Sequence, residues 1–204
     1  MLAGNALANE VYTFSNAGTT GREGPTQNQV NATYAGTNLA GNVTINTQGI
    51  QEWTVPTEGT YRIEAWGAGG GGSGTPGKGA KIIGTFTFDS QTSLKILVGH
   101  QGEKISGAGS GGGGGGTYVV KNNNIPLIVA GAGSGVCNNG TGGDSTIFVF
   151  EDLGSQDGTG GNATQGGGSG AGFRENGVSG SHGHGGASFL NGGVGGATTG
   201  GFGG

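Results

Sequence analysis

Few side chains in this sequence belong to the types that bind metals or carry catalysis. His182 and His184 are separated by one glycine and could share a metal ion, but no third and fourth ligand is evident. Glu151, Asp152 and Asp157 could offer carboxylates to calcium, yet they lack the spacing of a calcium-binding loop. We therefore interpret the histidines as a solvated pair in a glycine loop and the acids as surface charges, and we predict neither metal nor cofactor.

Two stretches approach nucleotide-binding motifs. Residues 72–79, Gly-Ser-Gly-Thr-Pro-Gly-Lys-Gly, resemble a phosphate-binding loop, but Gly79 stands where a hydroxyl would hold Mg²⁺ and Pro76 removes an N–H group. Residues 67–72 fit Gly-x-Gly-x-x-Gly by composition alone, and neither stretch opens a helix whose N-terminus could hold a pyrophosphate. Cys137 lies among Asn and Gly without an arguable base, and no serine has a nucleophile-elbow context. The sequence predicts no enzyme activity.

Composition narrows the classes of partner. The 204 residues carry a formal charge of −4, and the eight Lys and Arg residues are scattered singly, so we expect no nucleic-acid partner. No apolar run approaches the ~20 residues of a membrane span, so we expect no membrane insertion. Residues 1–8 lack a basic region and are a poor secretion signal. The single cysteine excludes an internal disulfide framework.

The elements that must position any site are short strands. One of them alternates cleanly, with Tyr61, Ile63 and Ala65 on one face and Arg62 and Glu64 on the other. No window of eleven or more residues has a helical repeat. We predict nine strands, at residues 10–15, 42–46, 50–55, 60–66, 80–88, 93–98, 117–121, 125–130 and 145–150.

The strand pattern predicts an all-β fold, either a β-sandwich or a jelly roll. Two hairpins are expected, one around Asp89 and Ser90 and one across residues 122–124. Glycine blocks leave strand ends and return to strand starts, which suggests loops grown from one end of the sandwich. The predicted organisation is a sandwich core over residues 1–153, with glycine-rich insertions at 67–79, 107–116 and 131–143, followed by a glycine-rich segment at 154–204.

The last quarter of the chain cannot order itself by burying a core of its own. Of its 51 residues, 22 are glycine and six are large aliphatic or Phe side chains. Ordering each residue costs roughly 1–2 kcal/mol, and each apolar side chain returns only about 1.5–3 kcal/mol. The segment is either a flexible linker or a bundle of polyproline-II-type helices held by backbone hydrogen bonds between neighbours, and we favour the bundle.

The strands and glycine blocks together resemble the glycine-rich extracellular domain of the anaplastic lymphoma kinase and leukocyte tyrosine kinase receptors, with related modules in phage and bacterial surface proteins. The resemblance covers most of residues 12–204. It rests on Gly-Ile-Gln-Glu-Trp-Thr-Val-Pro at 49–56, on Ile-Leu-Val-Gly-His-Gln-Gly-Glu at 96–103, and on residues 24–27, 61–72, 111–119 and 126–130.

The resemblance implies a jelly roll similar to tumour-necrosis-factor folds, with a hexagonally packed array of glycine helices, and implies no enzyme activity for this module. Two departures stand out. Ala17 and Val30 occupy positions where the family places cysteines, and no closing strand follows the glycine region. The chain is therefore expected to be a fragment, or to receive that strand from elsewhere.

The reading that combines these observations is a non-catalytic adhesion module on a virion or extracellular surface, such as part of a phage fibre or capsid appendage. It would contact a host receptor or glycan, or other virion proteins, and assemble as a trimer by analogy. The candidate contact residues are Phe173, Arg174, His182, His184 and Phe189, although the phenylalanines could instead fill gaps in the bundle. The alternatives are a ligand-binding receptor ectodomain fragment and a purely structural spacer or shell protein.

Overall fold

The computed structural model describes residues 10–104, 110–136, 140–145, 170–179, 184–197 and 199–204. The parts of the predicted strand 145–150 and of the 154–204 segment that fall between these ranges lie outside the described residues. One α-helix, two short 3-10 helices (Asn122–Asn124 and Phe189–Asn191) and seven strands are present in the described residues. The α-helix and the strands are α1 (Gln27–Tyr34), β1 (Val43–Thr47), β2 (Ile50–Thr54), β3 (Gly59–Trp66), β4 (Lys81–Phe88), β5 (Ser93–Leu97), β6 (Thr117–Lys121) and β7 (Ile125–Ala130).

The strands form two antiparallel sheets. The larger sheet has the order β1-β2-β5-β6-β7, and the smaller one consists of β3 and β4. Trp53, Val119 and Ile128 of the larger sheet join Ala65 and Phe88 of the smaller sheet in one buried cluster. The two sheets therefore pack face to face, and the fold is all-β, as the sequence predicts.

Seven of the nine predicted strands, those from 42–46 to 125–130, match β1 to β7 to within a residue or two at each end. The hairpin across 122–124 is confirmed, because β6 pairs with β7. The hairpin around Asp89 and Ser90 is wrong, because β4 pairs with β3 whereas β5 pairs with β2 and β6. The connection crosses from one sheet to the other, and a local turn pattern cannot distinguish a hairpin from such a crossing.

The N-terminal prediction needs two corrections. Residues 10–16 form no strand; Tyr12 and Phe14 instead pack on the Trp53 ring, with ring centres 4.7 and 5.7 Å away. Helix α1, which no sequence pattern predicts, begins soon afterwards, and the Gln29 side chain in its first turn accepts a hydrogen bond from the Thr26 N–H at 2.8 Å. At eight residues this helix is too short to leave a recognisable repeat.

The outer face of the larger sheet carries a second buried cluster. Ile50, Leu97, Tyr118 and Val120 of the sheet are covered by three phenylalanines of the glycine-rich C-terminal region, namely Phe173, Phe189 and Phe202. The sequence argument that this region cannot build its own core holds, because the region completes a core on the back of the sheet.

The glycine segments bond to one another through their backbones at intervals of three residues. Gly111 and Gly114 donate to the carbonyls of Val136 and Gly133, at 2.8 and 3.0 Å. Within the same 111–116 segment, Gly112 and Gly115 donate to Glu103 and His100, at 2.9 and 2.8 Å, and accept from Gly71 and Ala68, at 2.8 and 3.0 Å. The chain end adds a further neighbour, because Gly201 donates to Gly113 at 3.0 Å.

The close approach of these segments requires glycine. A Cβ on Gly67 would overlap the carbonyl oxygen of Gly131, and a Cβ on Gly115 would overlap that of Phe202. The carbonyls of neighbouring segments thus occupy the space that side chains would need.

No helix in the described part of the chain has the length and apolar character needed to cross a membrane.

Candidate functional site

Four of the five sequence-predicted contact residues are described, and they lie in two loops, 170–179 and 184–197, which are joined through Asn176. The side-chain oxygen of Asn176 accepts hydrogen bonds from the Ser188 backbone at 2.8 Å and from the Asn191 amide at 2.9 Å. Backbone bonds add to this, including Phe189 to the Gly172 carbonyl at 3.2 Å. We call these two loops the paired loops.

Phe173 and Phe189 anchor the paired loops to the larger sheet. Their rings stack with centres 5.3 Å apart, and Phe189 lies 5.3 Å from the Tyr118 ring. They are 1% and 3% exposed, so neither ring presents a surface to a partner in this conformation. The structure gives both side chains the packing role that the sequence left open.

Arg174 and His184 are exposed members of the predicted set. The Arg174 guanidinium lies 6.0 Å from the centre of the Phe173 ring, within the range of a cation–π contact. His182 lies outside the described residues. A role of Arg174, His182 and His184 in binding stays a prediction. Leu190, which is 42% exposed, also belongs to the exposed surface of the paired loops.

In the described ranges, no three His, Cys, Asp or Glu side chains come together in a way that could hold a metal ion. In the stretch that resembles a phosphate-binding loop, residues 72–79, two backbone N–H groups already donate hydrogen bonds to other parts of the protein. The Lys78 N–H donates to the Asp144 carboxylate at 2.7 Å, and the Gly77 N–H donates to the Ser134 carbonyl at 2.9 Å. Amides that would cradle a phosphate are thus bonded within the protein, and strand β4 follows where a helix would be needed.

His100 is a buried polar residue that the sequence analysis did not single out. It is 1% exposed, its Nδ1 lies 3.0 Å from the Gly21 carbonyl oxygen, and its Nε2 lies 3.1 Å from the Thr19 hydroxyl. Because a carbonyl oxygen can only accept, Nδ1 carries the proton. Burial lowers the pKa of His100 below its usual value, so the ring is held neutral and ties residues 19–21 to the glycine segments.

Two shallow depressions occur on the described surface. One of about 320 Å³ is lined largely by glycine backbone with Lys78 and Gln101 at its sides. The other, of about 110 Å³, lies between Lys95, Asn124 and Leu190. Each contains a single lysine as its only titratable side chain, so neither assembles an acid–base pair.

No family model matches the chain. A stretch of 107 residues is 34% identical to the mouse (Mus musculus) leukocyte tyrosine kinase receptor. The stretch covers 48% of this chain and 12% of the receptor, so this chain matches only a small part of that protein. This match supports the resemblance to the leukocyte tyrosine kinase receptor. The resemblance to the anaplastic lymphoma kinase receptor and to phage and bacterial surface proteins rests on the sequence pattern alone.

Proposed function

We propose that the two sheets form a jelly roll and that the glycine segments form a bundle of polyglycine helices of the polyproline-II type. The three-residue interval of the cross-segment hydrogen bonds supports the second part, because that helix has three residues per turn and no internal bonds. The neighbours of the 111–116 segment at 67–72, 99–104, 131–136 and 199–204 fit a packed array.

On this scaffold we place a non-catalytic surface-attachment module, working on a virion or an extracellular surface. The observation that carries the proposal is the set of backbone hydrogen bonds between the glycine segments, which link these segments without a large apolar core. Phe173 and Phe189 in turn hold the paired loops on the sheet. Such a support is rigid, and its loops are free to vary. The module would attach through Arg174, His184 and Leu190 to a receptor or glycan on a host surface.

The test asks whether the exposed side chains of the paired loops contact a binding surface, without disturbing the buried phenylalanines that pack on the sheet. The double variant Arg174→Ala, His184→Ala removes exposed groups and leaves Phe173 and Phe189 in place. We expect it to lower attachment to a binding surface at least about tenfold with an unchanged thermal midpoint, as contact residues do. Lys104→Ala, which removes an exposed cation from another segment, is the control. Equal attachment by all three proteins, or no saturable attachment by any, would favour a structural spacer or shell protein.

The receptor-ectodomain alternative is favoured by the similarity to the mouse receptor. In that case the surface around the paired loops would bind a protein ligand. Sequencing DNA on both sides of the coding region separates the two: neighbouring fibre or capsid genes support the virion role, and a downstream membrane span and kinase reading frame support the receptor role. Sedimentation analysis tests the proposed trimer.

A further inference from the structure

The outer face of the β3–β4 sheet is an exposed surface that the proposed attachment site does not use. Trp66 lies opposite Lys81 in the strand register and Glu64 lies opposite Ile83. Trp66 is 55% exposed and Ile83 is 47% exposed. Every other aromatic residue that the structure describes is buried or half-buried, so an exposed aromatic ring is unusual in this part of the chain.

A charged side chain contacts this indole and belongs to a small group of paired charges. The Lys81 ammonium lies over one face of the Trp66 ring, 4.8 Å from its centre, and also lies 3.0 Å from a Glu64 carboxylate oxygen. The other Glu64 oxygen pairs with the Arg62 guanidinium. The hydrogen bonds from Lys81 and then from Arg62 keep the pKa of Glu64 below its usual value, so the carboxylate is ionised near neutral pH.

The charges on this face are unbalanced. Two cations meet one carboxylate, which leaves one positive charge in excess on a protein whose formal charge is −4. From Arg62 to Trp66 the strand runs about 13 Å at ~3.3 Å per residue, the length of a short oligosaccharide. Thr85 continues the exposed row opposite Arg62 and adds a hydroxyl.

We propose that this face binds an acidic glycan, a saccharide whose pyranose ring carries a carboxylate. The apolar C–H face of the sugar packs on the free side of the Trp66 ring. Lys81 and Arg62 receive the sugar carboxylate, and Glu64 accepts hydrogen bonds from sugar hydroxyls. A neutral apolar partner would leave the excess positive charge unpaired, whereas an acidic sugar uses both the ring and the charge.

This inference rests on the proposed surface-attachment function and gives its ligand a class and a second location. The probe is tetragalacturonate, and its methyl ester is the control ligand because it keeps the rings and removes the charge. Of the two tryptophans, Trp53 is 5% exposed and Trp66 is the exposed one, so a change of fluorescence on titration reports on this face. We expect saturable binding of tetragalacturonate that weakens at high salt.

Variants locate the binding. Trp66→Ala should weaken tetragalacturonate binding at least about tenfold, as loss of an aromatic anchor does. Lys81→Ala should remove the preference for tetragalacturonate over its ester. Ile125→Ala, which trims an exposed side chain on the other sheet, should bind as the unmodified protein does. Isothermal calorimetry gives the affinities where the fluorescent ring has been removed, and circular dichroism checks the fold.

The outcomes distinguish a failure of the proposed glycan-binding face from a failure of the proposed attachment function. No binding of tetragalacturonate, or equal binding by the Trp66→Ala variant, overturns the glycan face, and the attachment function then stands or falls on the Arg174 and His184 variants. Binding that ignores the ester overturns the acidic specificity. Tetragalacturonate binding by a protein that attaches to no surface supports the glycan face and contradicts the attachment function.

Discussion

Gly115 and Gly113 belong to the same six-glycine run but occupy different surroundings. A Cβ on Gly115 would overlap the Phe202 carbonyl oxygen, whereas the nearest atom to a Cβ on Gly113 is the Gly133 oxygen at 3.8 Å. Gly113 is exposed and Gly115 is buried. Position within the packed segments, and not glycine content, therefore decides which of these residues can be replaced.

We expect Gly115→Ala to lower the free energy of unfolding by at least about 2 kcal/mol, because the added methyl forces two backbones apart. Gly113→Ala is the matched control and should change it by less than about 0.5 kcal/mol. Urea denaturation followed by circular dichroism measures both. Equal effects at the two positions would contradict the packing described for this run.

His100 gives the protein a defined pH dependence. Burial lowers the pKa of His100 in the folded protein. Between this lowered pKa and the unfolded pKa, the imidazole is protonated in the unfolded chain and neutral in the folded one. The neutral histidine's contribution is fully present above the unfolded pKa of about 6.5 and is lost as the pH falls from there through the lower folded pKa. We expect the thermal midpoint to drop between pH 7.5 and 5.5, and to drop less in His100→Gln. His184→Gln, at an exposed position, should keep the drop of the unmodified protein.

At the scale of elements, three phenylalanines dock the glycine-rich C-terminal region on the sheet. Phe202 is fully buried, lies 5.4 Å from the His100 ring between ring centres, and fills space that only glycine leaves open at positions 24 and 49. The docking of this region thus depends on apolar contacts as well as on backbone bonds.

Phe202→Ala should cost about 3–5 kcal/mol, because it removes a fully buried ring and leaves a cavity. Hydrogen exchange should show lost protection at residues 199–204 before it is lost in strands β5 and β6. Leu190→Ala, at an exposed position, is the control and should stay within about 0.5 kcal/mol. A loss of protection that begins in the strands would contradict this order.

For the whole molecule, sheets and glycine segments share buried clusters and hydrogen bonds. The cluster on the outer face of the larger sheet contains residues from both sides of residue 153, where the sequence places a domain boundary. We expect one cooperative thermal transition, with calorimetric and van't Hoff enthalpies equal. Two resolved transitions would contradict this and would show that the glycine-rich segment unfolds as a unit of its own.

The sequence alone determined the β class and the strands with alternating residues, because the two faces of a strand have a local period. Strand β3 shows this best, since the faces assigned to Arg62 and Glu64 and to Tyr61 and Ile63 agree with their pairing and exposure. Apolar residues at Ala17 and Val30, where the resemblance places cysteines, are both buried.

Only the tertiary structure decided which strands pair beyond the β6–β7 hairpin, which phenylalanines are buried, and which glycines touch. Sheet partners such as β2 and β5 are far apart in sequence, so no local turn specifies them. In the sequence, Phe173 and Phe189 could be contact residues or packing residues. The structure shows both buried against the outer face of the larger sheet. Glycine has no side chain and so leaves no pattern to read, and its role at Gly115 depends on a carbonyl contributed by a residue 87 positions later.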